Sequence, residues 1–230
     1  MGIVINALSI ALGSIIGSIF KERIRLKNFT VLGISIIIIS LVGFFENIFY
    51  INSMMLKSNE LLVVVFSLII GTLIGDAIQL DIKLNNLSSF SNKGYSGLMD
   101  ATLYFGVGGL QICGPILLAT VGDNSQLIIK SILDFPFALM FGITYGKSVI
   151  LSFIPVALGQ IVILLLSIVS KTFFDLVVIK QLCAMGYVIL FFSGFNLICE
   201  SKYKINNINM IIGIFMILFY NVLIKAWGYL

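Results

Sequence analysis

The sequence predicts an all-α, polytopic membrane protein of about eight spans, and not fewer than seven. Three observations carry that prediction. Of 230 residues, 60% are hydrophobic and only 10% are charged, whereas soluble domains carry about 25% charged residues. The apolar residues gather in runs of the length a helix needs to cross hydrocarbon, about 20 residues. Mean hydropathy is +1.14, and no stretch is both polar and long enough to fold separately, so residues 1–230 read as a single integral membrane domain.

The expected segments are 3–20, 29–49, 61–80, 97–120, 127–145, 149–170, 176–198 and 208–229. In the first, Asn6, Ser9, Gly13 and Gly17 recur at three or four residues and share one helical face. Its amino end carries no basic residue, while Lys21, Arg23, Arg25 and Lys27 follow it. That is the reverse of a cleaved signal peptide, and it places the amino terminus outside. Beyond that loop the remaining Lys and Arg divide evenly between the two sides, so the orientation rests on the loop.

The third segment repeats the first. Leu12-Gly13-Ser14-Ile15-Ile16-Gly17 is echoed by Ile70-Gly71-Thr72-Leu73-Ile74-Gly75, and the echo continues from Ile24-Arg25-Leu26-Lys27-Asn28 into Ile82-Lys83-Leu84-Asn85-Asn86. Gly13, Gly17, Gly71 and Gly75 are therefore expected to be helix-packing positions. Lipid offers no hydrophobic force between helices, so close backbone approach has to supply their association energy.

The fourth segment is expected to be interrupted. Gly106, Gly108, Gly109, Gly114 and Pro115 combine low helix propensity with a missing amide donor. A break at membrane depth is tolerated only where protein or a wet cavity satisfies the freed backbone groups, which ties this stretch to a polar interior. On a continuous helix Asp100 and Gln111 would share a face. In the fifth segment Gln126, Lys130 and Asp134 are spaced by four, so Lys130 and Asp134 pair along one face, and Pro136 marks a second expected interruption. A charge at the bilayer centre costs roughly 2.5–3.5 kcal/mol, which makes Asp100, Lys130 and Asp134 the residues most in need of explanation. Gln160 and Asn196, with Asn6, Ser152 and Ser193, are further polar groups facing the same interior. Glu46 and Asp76 lie near segment ends, where headgroups hydrate them.

Several classes are excluded by the counts. The chain has no histidine, which removes Ser/His and Cys/His nucleophiles, histidine-ligated haem and histidine zinc sites. Cys113, Cys183 and Cys199 lie far apart in apolar stretches and read as small hydrophobes, without disulfide or metal partners. The net charge of +4 is that of a membrane protein with basic loops, and no basic tract with interleaved aromatics suggests nucleic acid. A two-aspartate intramembrane protease would need Tyr-Asp and Gly-x-Gly-Asp. The first is absent, and Asp123 follows Thr120-Val121-Gly122. No enzyme, cofactor or metal site is expected.

Val107-Gly108, Gly122-Asp123, Lys130-Ser131-Ile132-Leu133-Asp134, Ser152-Phe153-Ile154-Pro155 and Gln160, with Asn6-Ala7-Leu8 and Gly194-Phe195-Asn196-Leu197, give the chain a resemblance to the YdfK/YqgA-like membrane proteins, domain of unknown function 554. The resemblance runs along essentially the whole sequence, and its most specific part is 122–134. The chain departs from the family pattern at Phe105-Gly106-Val107-Gly108-Gly109, where members tend to show Phe-Cys-Val-Gly-Pro. It departs again at Gly114-Pro115-Ile116-Leu117-Leu118-Ala119, where leucines replace a Gln-Asp pair. The resemblance implies a multi-pass protein of the bacterial or archaeal cytoplasmic membrane, of unassigned function and sometimes labelled a sodium channel or pump.

Polar clustering in segments four and five, against six nearly apolar ones, predicts a transporter or channel for a small ion or polar solute. Its path would be lined by Asp100, Gln111, Lys130, Asp134, Gln160 and Asn196, and its partners would be the lipid bilayer, that solute and, in a homo-oligomer, further copies of the chain. The alternatives are a membrane scaffold or accessory subunit, in which the polar residues only lock helices together, and a protein that handles lipids or amphiphiles.

Overall fold

The computed structural model describes residues 1–20, 29–52, 55–57, 60–89, 96–106, 109–171, 173–199, 203 and 205–227. The basic loop Lys21, Arg23, Arg25 and Lys27, on which the expected orientation rests, lies outside the described residues, as do Val107 and Gly108.

The described residues form helices α1 (Gly2–Ile19), α2 (Phe29–Ile48), α3 (Leu61–Ala77), α4 (Leu80–Ser89), α5 (Ser96–Gly106), α6 (Gly109–Thr120), α7 (Ser125–Tyr145), α8 (Phe153–Val169), α9 (Leu176–Ile198) and α10 (Ile212–Trp227). A 3-10 segment, Gly146–Ser152, joins α7 to α8, and another, Asn209–Ile211, leads into α10. The departure from an all-helical chain is a two-stranded hairpin, β1 (Tyr50–Asn52) with β2 (Met55–Lys57), antiparallel with Tyr50 opposite Lys57.

Each of the eight expected segments coincides with a helix or a helix pair. Five stretches are long and apolar enough to cross a membrane, and α5 with α6 forms a sixth that is bent by 55°. One of the five, 125–169, has 45 residues, about twice what a bilayer requires. It folds back on itself, because Asn6 bonds both Asp134 and Gln160, whereas 26 residues of straight helix would hold those two about 39 Å apart. Helix α7 ends at Gly146, whose φ of +75° only glycine adopts without strain. The chain is thus a polytopic helical membrane protein, with large apolar side chains such as Leu8, Phe66, Ile132 and Val169 on its exposed surface.

Contacts group the chain into two compact units, each drawn from two separated stretches: 1–29 with 82–171, and 30–81 with 172–230. In the first unit α1 lies along α7. A Cβ on Gly13 would stand 2.5 Å from the Phe135 carbonyl oxygen, one on Gly17 would strike the Leu139 carbonyl, and one on Gly142 would stand 2.5 Å from the Ser14 carbonyl. Residue numbers rise together along the pair, since Gly2 meets Asn124 and Leu127, so the two helices run parallel.

In the second unit α3 packs on α10 with the echoed glycines inward. A Cβ on Gly71 would strike the Gly213 backbone, and one on Gly75 that of Asn209. These partners run antiparallel. So do α2 and α9, where Gly33 meets Gly194 and Gly43 meets the Tyr187 ring. A chain of eight alternating spans gives these directions: first and fifth alike, third and eighth opposed, second and seventh opposed. The echo extends to the outer faces. Ile5, Leu8, Ser9 and Leu12 line an apolar groove beside α7, and their counterparts Val63, Phe66, Ser67 and Ile70 line one beside α10.

Two expectations about local structure are corrected. Gly114, Pro115 and Pro136 do not interrupt helices: α6 is continuous through Gly114 and Pro115, and α7 through Pro136. A proline removes one donor and frees one carbonyl a turn earlier, which a membrane helix supported by neighbours accommodates. Gly114 serves instead as a close-approach point, where a Cβ would lie 2.7 Å from Leu127. The break falls after Gly106 and before Gly109. Cys199 is free, whereas the expectation of unpaired cysteines fails for Cys113 and for Cys183.

Candidate functional site

The buried polar groups of the first unit converge from four helices and one broken helix end. Lys130 and Asp134, one turn apart on α7, form an ion pair at 2.7 Å between Nζ and Oδ2. Both residues are more than nine-tenths buried, at 4% and 6% exposure. The Lys130 ammonium also donates to the Phe105 carbonyl at 3.0 Å. Phe105 lies one residue from the end of α5, in the last turn, where carbonyls lose their intrahelical partners and the helix dipole is negative. The break thus supplies a backbone oxygen, and a cation fills it.

From Asp134 the bonds run outward through amides. Asn6 on α1 donates from Nδ2 to Asp134 Oδ2 at 2.8 Å. Gln160 on α8 donates from Nε2 to Asn6 Oδ1 and to Gln111 Oε1, each at 2.9 Å. Gln111 on α6 donates in turn to the Val156 carbonyl, also at 2.9 Å. Asn6 and Gln160 are fully enclosed. The glycine faces make this geometry possible, because Gly13 and Gly17 let α1 approach α7 closely enough for Asn6 to reach the carboxylate. A second tie joins the same helices, from the Ser9 hydroxyl to the Ser131 carbonyl.

One amide oxygen in the chain of bonds has no donor. Gln160 Oε1 is buried and unpartnered, as are the hydroxyls of Ser14, Thr102 and Ser152. All four belong to the first unit. A buried acceptor without a donor costs roughly 1–3 kcal/mol.

Of the residues expected to line a path, Gln111, Lys130, Asp134 and Gln160 meet here, and Asp100 and Asn196 do not. Asp100 on α5 accepts a hydrogen bond from the Tyr145 hydroxyl at the far end of α7. Tyr145 lies 11 residues beyond Asp134, or about 16 Å along the helix. Asn196 belongs to the second unit, where its side-chain amide bonds the Ile205 carbonyl at 2.7 Å and the Ile205 amide at 2.8 Å. It ties the last turn of α9 to Ile205.

Sequence reasoning underrated Asn6, the hub of the cluster, although its place on the glycine face was a usable signal. The Phe105 carbonyl carries no side-chain signature at all. In the second unit it passed over a buried chain in which Gln181 donates to Glu60 and Asn221 donates to Gln181 at 2.7 Å. Asp76, read as a boundary residue, is exposed near the end of α3 and also accepts from Asn209 at 2.6 Å. Among the described residues no three Asp, Glu or Cys side chains group as a metal site would need.

Comparison with known proteins adds the family. Residues 1–222 match the family described as "Protein of unknown function (DUF554)". The chain belongs to that family. It is 28% identical over 212 residues to the uncharacterized membrane protein YdfK of Bacillus subtilis (strain 168), covering 90% of each chain. It is 26% identical over 178 residues to the uncharacterized protein YqgA of Escherichia coli (strain K12), covering 70% of this chain and 71% of the relative. No solved structure matches.

Proposed function

We propose that this DUF554 protein is a transporter or channel for a small ion or polar solute in a bacterial or archaeal cytoplasmic membrane, with its amino terminus outside. The observation that carries the reading is the Lys130 ammonium bound to the last turn of a broken span and to Asp134, both deep in one helical unit. Discontinuous helices whose ends meet charge at membrane depth are how transporters build binding sites, and intramembrane ionisable residues default to functional roles. Asp134 and the Phe105 carbonyl offer negative charge, Lys130 offers positive charge, and Asn6, Gln111 and Gln160 offer neutral polar contacts.

A second reading has its own observation. Lys130, Asp134, Asn6 and Gln111 are all bonded within the unit, which suits a scaffold locked by interhelical hydrogen bonds. Flux in proteoliposomes separates the two. Transport predicts solute or ion flux that falls at least tenfold in both Asp134→Asn and Lys130→Met, each assayed after folded insertion is verified. Undiminished flux in both variants would remove the cluster from the path, and absence of flux in the parent across alkali ions, ammonium and small organic solutes favours the scaffold.

A further inference from the structure

We infer that Asp134 and the broken end of α5 form a binding site for a small monovalent cation of about ammonium size, with Lys130 as a tethered occupant that the free ion displaces. The inference rests on the transport reading and specifies its substrate class.

The argument starts from what the Lys130 nitrogen stands in for. A lysine ammonium is a compact point charge on a flexible four-carbon stem. Here it sits 2.7 Å from one carboxylate oxygen and 3.0 Å from one main-chain carbonyl. A carboxylate with a carbonyl freed at a helix end is a cation-binding pair in its own right, whether or not the cation is covalently attached to α7. The oxygen spacing sets the size. Magnesium needs oxygens at about 2.0–2.1 Å and calcium at about 2.3–2.6 Å, with six or more ligands for calcium, so either would require the carbonyl and carboxylate to be drawn inward. The charge sets the valence. A single carboxylate balances one positive charge, and the other side chains bonded in the cluster, Asn6, Gln111 and Gln160, are neutral amides.

Exchange is also electrostatically economical. The carboxylate faces one cation or the other throughout, so it is never left uncompensated, and the displaced Lys130 ammonium has to swing out of the dry interior on its four-carbon stem for the charges to balance. The cluster also holds an acceptor that no donor fills, Gln160 Oε1, fully buried and two hydrogen bonds from the carboxylate through Asn6. A rigid, saturated lock would leave no such acceptor idle.

The test uses the full chain in detergent micelles. Lys130→Met removes the tethered occupant and should create dependence on a free one. Its melting temperature should rise saturably in potassium or ammonium chloride relative to choline chloride of equal ionic strength, by roughly 5–10 °C at about 100 times the dissociation constant. The parent should show at least a tenfold weaker ion dependence, because the ammonium competes, and Lys130→Met/Asp134→Asn should show none. Lys130→Gln, which keeps a donor toward Phe105 and Asp134, should behave as Lys130→Met does. Equal stabilisation by choline or by calcium chloride overturns the inference, as does the absence of ion-specific stabilisation in both single variants. Failure to recover either variant with potassium present throughout purification overturns it too, since the ion is required to replace the ammonium. Flux of the parent is measured separately. Ion-specific stabilisation without flux keeps the site and removes transport, while flux without ion-specific stabilisation keeps transport and removes the site.

Discussion

The two units enclose charge differently. The first encloses an ion pair, Lys130 with Asp134, among three buried amides, Asn6, Gln111 and Gln160, and among the described residues leaves four buried side-chain atoms unpartnered. The second buries amides too, Gln181 and Asn221 in one chain with Glu60, and Asn209 beside Asp76, but its ion pair, Asp175 with Lys225, is partly exposed. Among the described residues it has no unpartnered buried side-chain atom. An exposed ion pair is shared with headgroups and water, whereas an enclosed one must be satisfied within the protein. The contrast teaches that the first unit bears an electrostatic burden that packing alone does not require. The second carries the same glycine faces without an enclosed ion pair among its described residues.

The sharpest way to break this contrast is to remove one partner from each unit's ion pair. In choline chloride, without potassium or ammonium, Lys130→Met should destabilise the chain by about 3–5 kcal/mol in denaturant unfolding, because it strands a buried carboxylate. Lys225→Met removes a pair whose side chains are 31% and 48% exposed and should cost less than about 1 kcal/mol. Equal costs would mean that the first unit is hydrated in solution and that its pair is no more enclosed than the second's.

Next in size are the glycines, where the units should behave alike. Gly17→Ala and Gly71→Ala each drive a methyl into a neighbouring backbone and should lower stability by about 1–3 kcal/mol. Gly106→Ala meets nothing within 4 Å and should be neutral or stabilising by up to about 1 kcal/mol. Thermal unfolding of the three variants checks the order, and a destabilising Gly106→Ala would show that the break needs glycine's backbone freedom.

A pH-dependent effect is expected at Asp175, the N-cap of α9, which accepts from the Val178 amide at 2.9 Å. Partial burial pushes its carboxyl up, but the Val178 amide and the Lys225 ammonium outweigh that and hold it below the usual carboxylate range. Its stabilising contribution is therefore fully present above the unfolded carboxylate value of about 3.9 and is lost as pH falls through the lower folded value. Asp175→Ala should cost about 1 kcal/mol at neutral pH and progressively less as the solution is acidified. A cost that stays constant under acidification would remove the charge from the argument and leave the cap alone.

Much of this was readable from residues. Segment positions followed from hydropathy, because the bilayer imposes one length on every span. The Lys130–Asp134 pair followed from helical spacing, and the break between Gly106 and Gly109 from glycine density. Breaks at Gly114, Pro115 and Pro136 did not follow, because composition reports a helix's weakness but not the neighbours that support it. Asp100 looked equivalent to Asp134 by charge and depth. Only the packing of α5 on the end of α7 shows that it pairs with Tyr145 instead. The hub role of Asn6 depends on a contact across 128 residues, which no local pattern encodes.

That separation has a consequence for how the protein is made. Ribosomes add about 5–20 residues per second, so Asn6 is inserted into lipid roughly 6–25 s before Asp134 exists to receive its amide. Neither half can close early, since α1 waits for α7 and α8, while α3 waits for α10. The nascent chain therefore holds its glycine faces open through most of synthesis, and any factor that shields them in that interval would govern how much finished protein the cell obtains.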